Sequence, residues 1–322
     1  MHRAAGLLAV VALVMAAVPI SPALAPTSGP AVAPAALVST VWKPIPSYRV
    51  AAHDEPAPYR DGCHAARAVT VPRACVIVHP RAAATVLLFG DSHAAPWYGA
   101  VRAAAVARGW RLLYLTKSSC PAADVAVRGY KMTVPYPQCS TWRGRALTGI
   151  AENRWGRVDV AVLSNWHFHT VLSSRRGTVV RGADKVRRWE AGMRRTLARV
   201  LLGVRQVVLL RDSPDLPGDA VSARACFARY RLAAQRKCGS TVAKALRASI
   251  WAAEKRAAAS FPGRVLTVDL TTPTCAGGWC GPIARPYLAF KDDNHWTQTY
   301  VRALFSAPVT ALVAGAMDRA AE

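Results

Sequence analysis

Five short apolar runs, separated by long and mostly helix-prone intervals, constrain this chain more than any other feature. The runs are Thr85–Phe89, Arg111–Leu115, Val158–Leu163, Gln206–Leu210 and Val265–Leu270. Helix-like stretches lie between them at Ala94–Arg108, Trp142–Glu152, Ala183–Leu202 and Thr241–Ala259, and a last helix starts near Thr297. Strands that are apolar almost throughout, alternating with amphipathic helices, bury both faces of a parallel sheet. The pattern predicts one α/β domain: three α/β/α layers on a doubly wound, mainly parallel five-stranded sheet, without internal repeats.

The N-terminus speaks to the compartment. Met1-His2-Arg3 is a short basic start, and Ala4 to Ile20 is apolar apart from Pro19, the pattern of an export signal. Ala23-Leu24-Ala25 offers a small-x-small cleavage site, but Pro26 after it disfavours cutting, so an uncleaved N-terminal membrane anchor is the alternative. Residues 26–60 are rich in Pro, Ala and Ser and read as a linker or extended arm. The expected organisation is a signal at 1–25, a linker at 26–60 and the folded domain at 61–322.

Eight cysteines fall into four close pairs: Cys63 with Cys75, Cys120 with Cys139, Cys226 with Cys238, and Cys275 with Cys280. Even number, short spacing and an export signal together argue for local disulfides. The rival reading is a metal site, but no pair has a CxxC spacing and no histidine stands at ligand spacing beside one. No metal and no cofactor is expected. The formal net charge is +24, from 42 Lys and Arg against 18 Asp and Glu. The bland reading is a solvated basic surface; the sharper one is affinity for a polyanion such as an acidic envelope polymer. The charges are dispersed and no aromatic-interleaved basic motif occurs, which argues against nucleic acid.

Two motifs carry chemistry. Gly90-Asp91-Ser92-His93 ends the first predicted strand and opens the first predicted helix. Ligands of parallel α/β sheets bind at the carboxyl ends of strands, and a helix N-terminus offers N–H groups to a developing oxyanion. The bland reading is an ordinary Asp or Ser N-cap. About 200 residues on, Lys291-Asp292-Asp293-Asn294-His295 places a carboxylate and a histidine three residues apart before the last helix. A serine needs a base, and the base needs an orienting carboxylate. Ser92, His295 and Asp292 can meet those needs together, leaving Asp293 to cap or solvate the turn.

These residues resemble the SGNH (GDSL-like) hydrolase superfamily, with its flavodoxin-like sheet, a GDS block and a DxxH block. The match is closest to the SGNH domain fused to bacterial membrane acyltransferases that O-acylate surface polysaccharides. Asp61-Gly62-Cys63-His64, Lys117-Ser118-Ser119-Cys120-Pro121, Cys139 with Trp142, Val268 to Cys275 and the segment from His295 on fit that branch. The resemblance spans roughly residues 55 to 315, and the integral-membrane half is missing from this sequence. It implies Ser92 as nucleophile, His295 as general base and Asp292 as its partner. It also implies an oxyanion hole from Ser92, the loop at Ser119 and Asn165. Two blocks depart from the pattern: Ser118 and Ser119 stand where a catalytic glycine is usual, and Leu163-Ser164-Asn165-Trp166 replaces Gly-x-Asn-Asp.

His93, Trp97, Trp166 and Trp296 adjoin the motifs and are candidates for substrate binding, with core packing as the plain alternative for the tryptophans. His167 and His169 suit a strand end near the pocket and lack a third ligand for a metal. The expected function is an exported, extracytoplasmic serine esterase or O-acyltransferase acting on a cell-envelope glycan or glycolipid. The expected state is a monomer, envelope-associated or secreted, served by a separate membrane acyltransferase. The alternative is a non-catalytic, cationic envelope-binding protein on a degenerate fold of this kind.

Overall fold

The computed structural model describes residues 43–321; the expected signal, and the expected linker up to residue 42, lie outside the described residues. Seven strands make the main sheet: β1 His64–Ala65, β2 Cys75–Val78, β3 Thr85–Gly90, β4 Arg111–Lys117, β5 Val158–Ser164, β6 Val204–Leu210 and β7 Val265–Val268. Their order is β1-β4-β3-β5-β6-β7, with β2 also on β4. All pairings are parallel except β2 on β4. The five expected strands therefore form the centre in the order 2-1-3-4-5, the doubly wound arrangement in which the chain reverses direction beside the first strand. The short segments β1 and β2 extend the β4 edge and were not part of the expected sheet.

Alternation along each strand divides the core into two. Val86 and Leu88 of β3, Leu112 and Tyr114 of β4, and Val208 and Leu210 of β6 face one side. There they meet the helices α1 (Tyr98–Arg108) and α5 (Gln298–Ala321), through residues such as Val101, Tyr300, Phe305 and Val313. Leu87, Phe89, Leu113, Leu163 and Leu209 face the other side. They meet α2 (Pro137–Ala151), α3 (Gly182–Gly203) and α4 (Ala248–Ala259) through Trp142, Leu197, Val200 and Trp251. Period-two strands and period-3.6 helices from one sequence thus give three layers. The expected helix Thr241–Ala259 is interrupted, because Leu246 is extended between a single turn at Val242–Ala245 and α4.

The N-terminal boundary differs from the expectation. Residues 43–60 pack on the domain rather than linking to it: Ala51 and Pro58 are buried, and Glu55 pairs with Lys291 at 3.1 Å. Asp54 caps α5 from a distance, its carbonyl accepting from Gln298 N at 3.2 Å and its Oδ2 from Thr299 N at 2.9 Å. Small apolar side chains and one well-placed carboxylate suffice to dock a segment that shows no periodicity.

The cysteines form four disulfides, Cys63–Cys75, Cys120–Cys139, Cys226–Cys238 and Cys275–Cys280, with separations of 12, 19, 12 and 5 residues. No described cysteine is free. Such density of local bridges argues for an oxidising, extracytoplasmic location.

Candidate active site

The site is built at the carboxyl ends of β3 to β6, where the loops after four central strands converge. Gly90 has φ +152°, and a Cβ there would collide with the Ser164 carbonyl of β5, so the β3 exit requires glycine. The chain then turns tightly: the Asp91 carbonyl accepts from Ala94 N and Ala95 N, each at 3.2 Å, and a 3₁₀ turn at Ala95–Trp97 leads into α1. Ser92 stands at the crest of this turn, partly exposed, and His93 follows it.

A cleft of about 200 Å³ opens over the turn. Ser92, His93 and His295 line it together with Ser118, Ser119 and Asn294. Tyr59, Arg67, Tyr130, Trp166 and Lys291 complete its walls. The two sequence motifs, 200 residues apart, therefore meet in one cleft.

Asp292 and His295 are locked together. The turn between them is an Asx turn, in which Asp292 Oδ1 accepts from Asn294 N at 3.1 Å and from His295 N at 2.8 Å. Both carboxylate oxygens also lie 3.0 Å from His295 Nδ1. A carboxylate on Nδ1 selects the tautomer with its proton there and leaves the Nε2 lone pair free. His295 Nε2 has no hydrogen-bond partner among the described residues, and no bond joins it to Ser92. Hydrogen bonds of this kind commonly tighten only when substrate arrives. Burial would raise the Asp292 carboxyl, but His295, Lys291 and the Asn294 N–H outweigh it and hold it well below the usual carboxylate range. Asp293 turns away, and its Oδ2 accepts from the Tyr130 hydroxyl at 3.5 Å.

Beneath the cleft lies a buried polar network that sequence reasoning missed. Asp91 accepts from His93 N at 2.8 Å and Trp166 N at 2.9 Å, with His169 Nε2 at 2.8 Å. Despite the cost of burial, these partners hold its carboxyl at about 2. Asp212, in the loop after β6, contacts His93 Nδ1 at 2.6 Å and accepts from His167 N at 2.7 Å. Burial alone would lower the His93 imidazole, but Asp212, backed by Asp91 and Asp215, raises it to about 9. Ser213 ties this loop to the second motif, donating to the Asn294 carbonyl at 2.9 Å while its Oγ lies 3.1 Å from His93 Nδ1. The available signal was positional: Asp212 and Ser213 follow an apolar strand in a fold whose sites gather at strand ends.

Three expected site residues take other roles. Asn165 is fully buried, and its carboxamide is committed: Oδ1 accepts from Ala122 N and Ala123 N at 2.7 and 3.3 Å, and Nδ2 donates to Glu254 Oε1 at 2.9 Å. It does not line the cleft. The reason is Glu254, a fully buried carboxylate on α4 that also takes Trp189 Nε1 at 3.1 Å and faces His167 Nε2 at 3.0 Å. A buried carboxylate demands donors, and Asn165 is one of them. Trp97 and Trp296 pack edge-on against one another at 5.2 Å in the core beneath α5, and neither lines the cleft.

The other candidates stay at the site. Trp166 forms a wall, its Nε1 bonded to Asp215 Oδ1 at 3.0 Å, and stacks at 6.3 Å from Phe168. Ser119 has φ +54° and, like Ser92, has a backbone N–H with no acceptor among the described residues. Ser118 Oγ lies 3.0 Å from His64 Nε2, which accounts for the histidine of the Asp61–His64 motif as a support for this loop.

With the geometry in hand, comparison with known proteins identifies the family. The model of the SGNH domain fused to AT3 domains matches residues 62–307. The chain belongs to this SGNH family. Among solved structures, it is similar to the periplasmic domain of a lipopolysaccharide acetyltransferase from Salmonella ser. Paratyphi A. That match has 12% identity and a TM-score of 0.48, and covers 71% of this chain and 83% of that one. It is also similar to a carbohydrate esterase family 2 enzyme with a carbohydrate-binding domain from Corynascus thermopiles (Myceliophthora fergusii). Here the identity is 16% and the TM-score 0.45, with 76% of this chain and 69% of that one covered. No curated protein matches the SGNH chain in sequence.

Proposed function

We propose that this protein is an extracytoplasmic serine enzyme that moves short acyl groups on or off the hydroxyls of a cell-envelope glycan or glycolipid. The observation that carries the reading is the Asp292–His295 pair, at 3.0 Å, facing the same cleft as the strand-end Ser92. In this reading Ser92 Oγ attacks an ester carbonyl while His295 Nε2 takes its proton, and Asp292 stabilises the imidazolium that forms. Collapse expels the alcohol, which takes the proton back from His295 and leaves an acyl-Ser92. Water or a sugar hydroxyl then repeats the cycle in reverse. The Ser92 and Ser119 N–H groups supply backbone donors to the oxyanion. A cleft of about 200 Å³ suits a short acyl group better than a fatty chain. Membership of a family whose domain is fused to membrane acyltransferases supports a membrane-bound donor system as partner.

The experiment partitions one intermediate. Incubation with p-nitrophenyl acetate is expected to acetylate Ser92, and Ser92→Ala to abolish this. If transfer is the function, adding an oligosaccharide acceptor lowers the free-acetate fraction and yields acetylated sugar; if only free acetate forms with every acceptor, the protein is an esterase. The net charge of +24 and the diversion of Asn165 favour a second reading, a non-catalytic cationic envelope-binding protein. Failure of Ser92 to acylate would establish that reading in place of the first.

A further inference from the structure

The diversion of Asn165 removes the amide expected to hydrogen-bond an oxyanion, and another side chain that lines the cleft can take over that role. We propose that the Nε2–H of His93, oriented by Asp212, donates to the oxyanion formed when Ser92 attacks an ester carbonyl. The proposal rests on the reading of Ser92 as nucleophile.

The geometry fixes which way the ring works. His93 Nδ1 faces Asp212 Oδ1 at 2.6 Å and Ser213 Oγ at 3.1 Å, so its proton is spent on the protein side. His93 and Asp212 are each 1% exposed at the side chain, so the pair is held in a dry setting where charge-assisted bonds are strong. The ring lines the cleft, and its other nitrogen, Nε2, has no acceptor among the described residues. Its ring packs at a tilt against Trp166, with centroids 5.7 Å apart, and against His295, at 4.8 Å. Two carboxylate–imidazole pairs thus converge beside Ser92, Asp292–His295 and Asp212–His93. His295 offers a lone pair at Nε2. His93, raised to about 9 by its carboxylate neighbours, carries protons on both nitrogens at neutral pH.

That division of labour gives a balanced step. The Ser92 Oγ–carbon bond forms, the Oγ proton passes to His295, and the carbonyl π pair moves to oxygen. The resulting alkoxide accepts from His93 Nε2–H, which keeps its proton throughout. When the alkoxide collapses, the leaving oxygen takes its proton from His295. A preorganised charged donor aimed at developing charge is among the strongest devices available to such a site.

The test uses the full-length protein and p-nitrophenyl acetate, with Ser92→Ala as the control for the underlying reading. His93→Phe, which fills the space but cannot donate, is expected to lower kcat by roughly 100-fold or more with KM little changed. His93→Gln, which retains a donor, should recover at least about tenfold of that loss. Because His93→Phe could misfold, a second measurement uses wild type with ¹⁵N-labelled histidine and phenylboronic acid, whose Ser92 adduct is a tetrahedral boronate anion with a hydroxyl oxygen at the oxyanion position. The His93 Nε2–H resonance is expected to be present at neutral pH and to move downfield on adduct formation. Wild-type rates in His93→Phe, with Ser92→Ala inactive, would overturn the role of His93 while leaving the nucleophile standing. An unmoved His93 resonance on adduct formation would do the same. Full activity in Ser92→Ala would remove the nucleophile, and this proposal with it.

Discussion

Asp292→Asn is expected to lower kcat for ester cleavage by about 10⁴-fold with KM little changed, the scale of loss that accompanies a wrong histidine tautomer. In the native protein both Asp292 oxygens face His295 Nδ1 at 3.0 Å, and Oδ1 also receives the His295 and Asn294 N–H groups. Asparagine can keep its oxygen on the two backbone donors, so the Asx turn survives. Its amide N–H then points at Nδ1 and demands a lone pair there, which forces the proton to Nε2. A histidine protonated at Nε2 cannot take the Ser92 proton. Steady-state kinetics with p-nitrophenyl acetate, together with a melting curve showing an intact fold, checks the expectation. A loss below about tenfold would mean that Asp292 merely shapes the turn.

The second large effect is on stability and comes from His93. Its folded-state value of about 9 lies above the ordinary value of 6.5, so the imidazolium adds stability that is fully present below about pH 6.5. That contribution is lost as pH rises through 9. The titratable groups that interact with the ring are Asp212, Asp91, Asp215, Asp293, His169 and His295. Asp91, held at about 2, stays ionised throughout. Asp215, raised to about 7 by burial, is lowered in turn by His93, so it titrates at higher pH in the variant. Above that titration, the difference in unfolding free energy between wild type and His93→Gln should shrink as pH rises through about 9, by on the order of 1 kcal/mol. Urea titrations at several pH values measure it. Curves that stay parallel would mean that His93 is neutral in the folded protein.

The five central strands were legible because each is a nearly unbroken apolar run, which a sheet covered on both faces requires. The motifs at Gly90–His93 and Asp292–His295 were legible because their spacing obeys local geometry: a tight strand-end turn for one, an Asx turn just before α5 for the other. What was not legible depends on partners distant in sequence. Glu254 sits beside Lys255 and Arg256 on an alanine-rich helix and reads as a solvated charge, yet it is fully buried and captures Asn165, Trp189 and His167. Asn165 was placed correctly at the end of a strand, but position does not determine which acceptor takes its amide. Trp97 and Trp296 adjoin the motifs in sequence, but each side chain points back from the turn into the core under α5. Residues 43–60 lacked periodicity because they dock through single contacts such as Asp54 on α5 rather than through a repeating face.

The central claim is that Ser92 is a nucleophile activated by His295. The most direct test is intact-mass and peptide mass spectrometry after treatment of the full-length protein with a fluorophosphonate. The account predicts one adduct per molecule, on Ser92, absent from Ser92→Ala and strongly slowed in His295→Ala. An unlabelled wild-type protein, or an adduct that persists in Ser92→Ala, would contradict it.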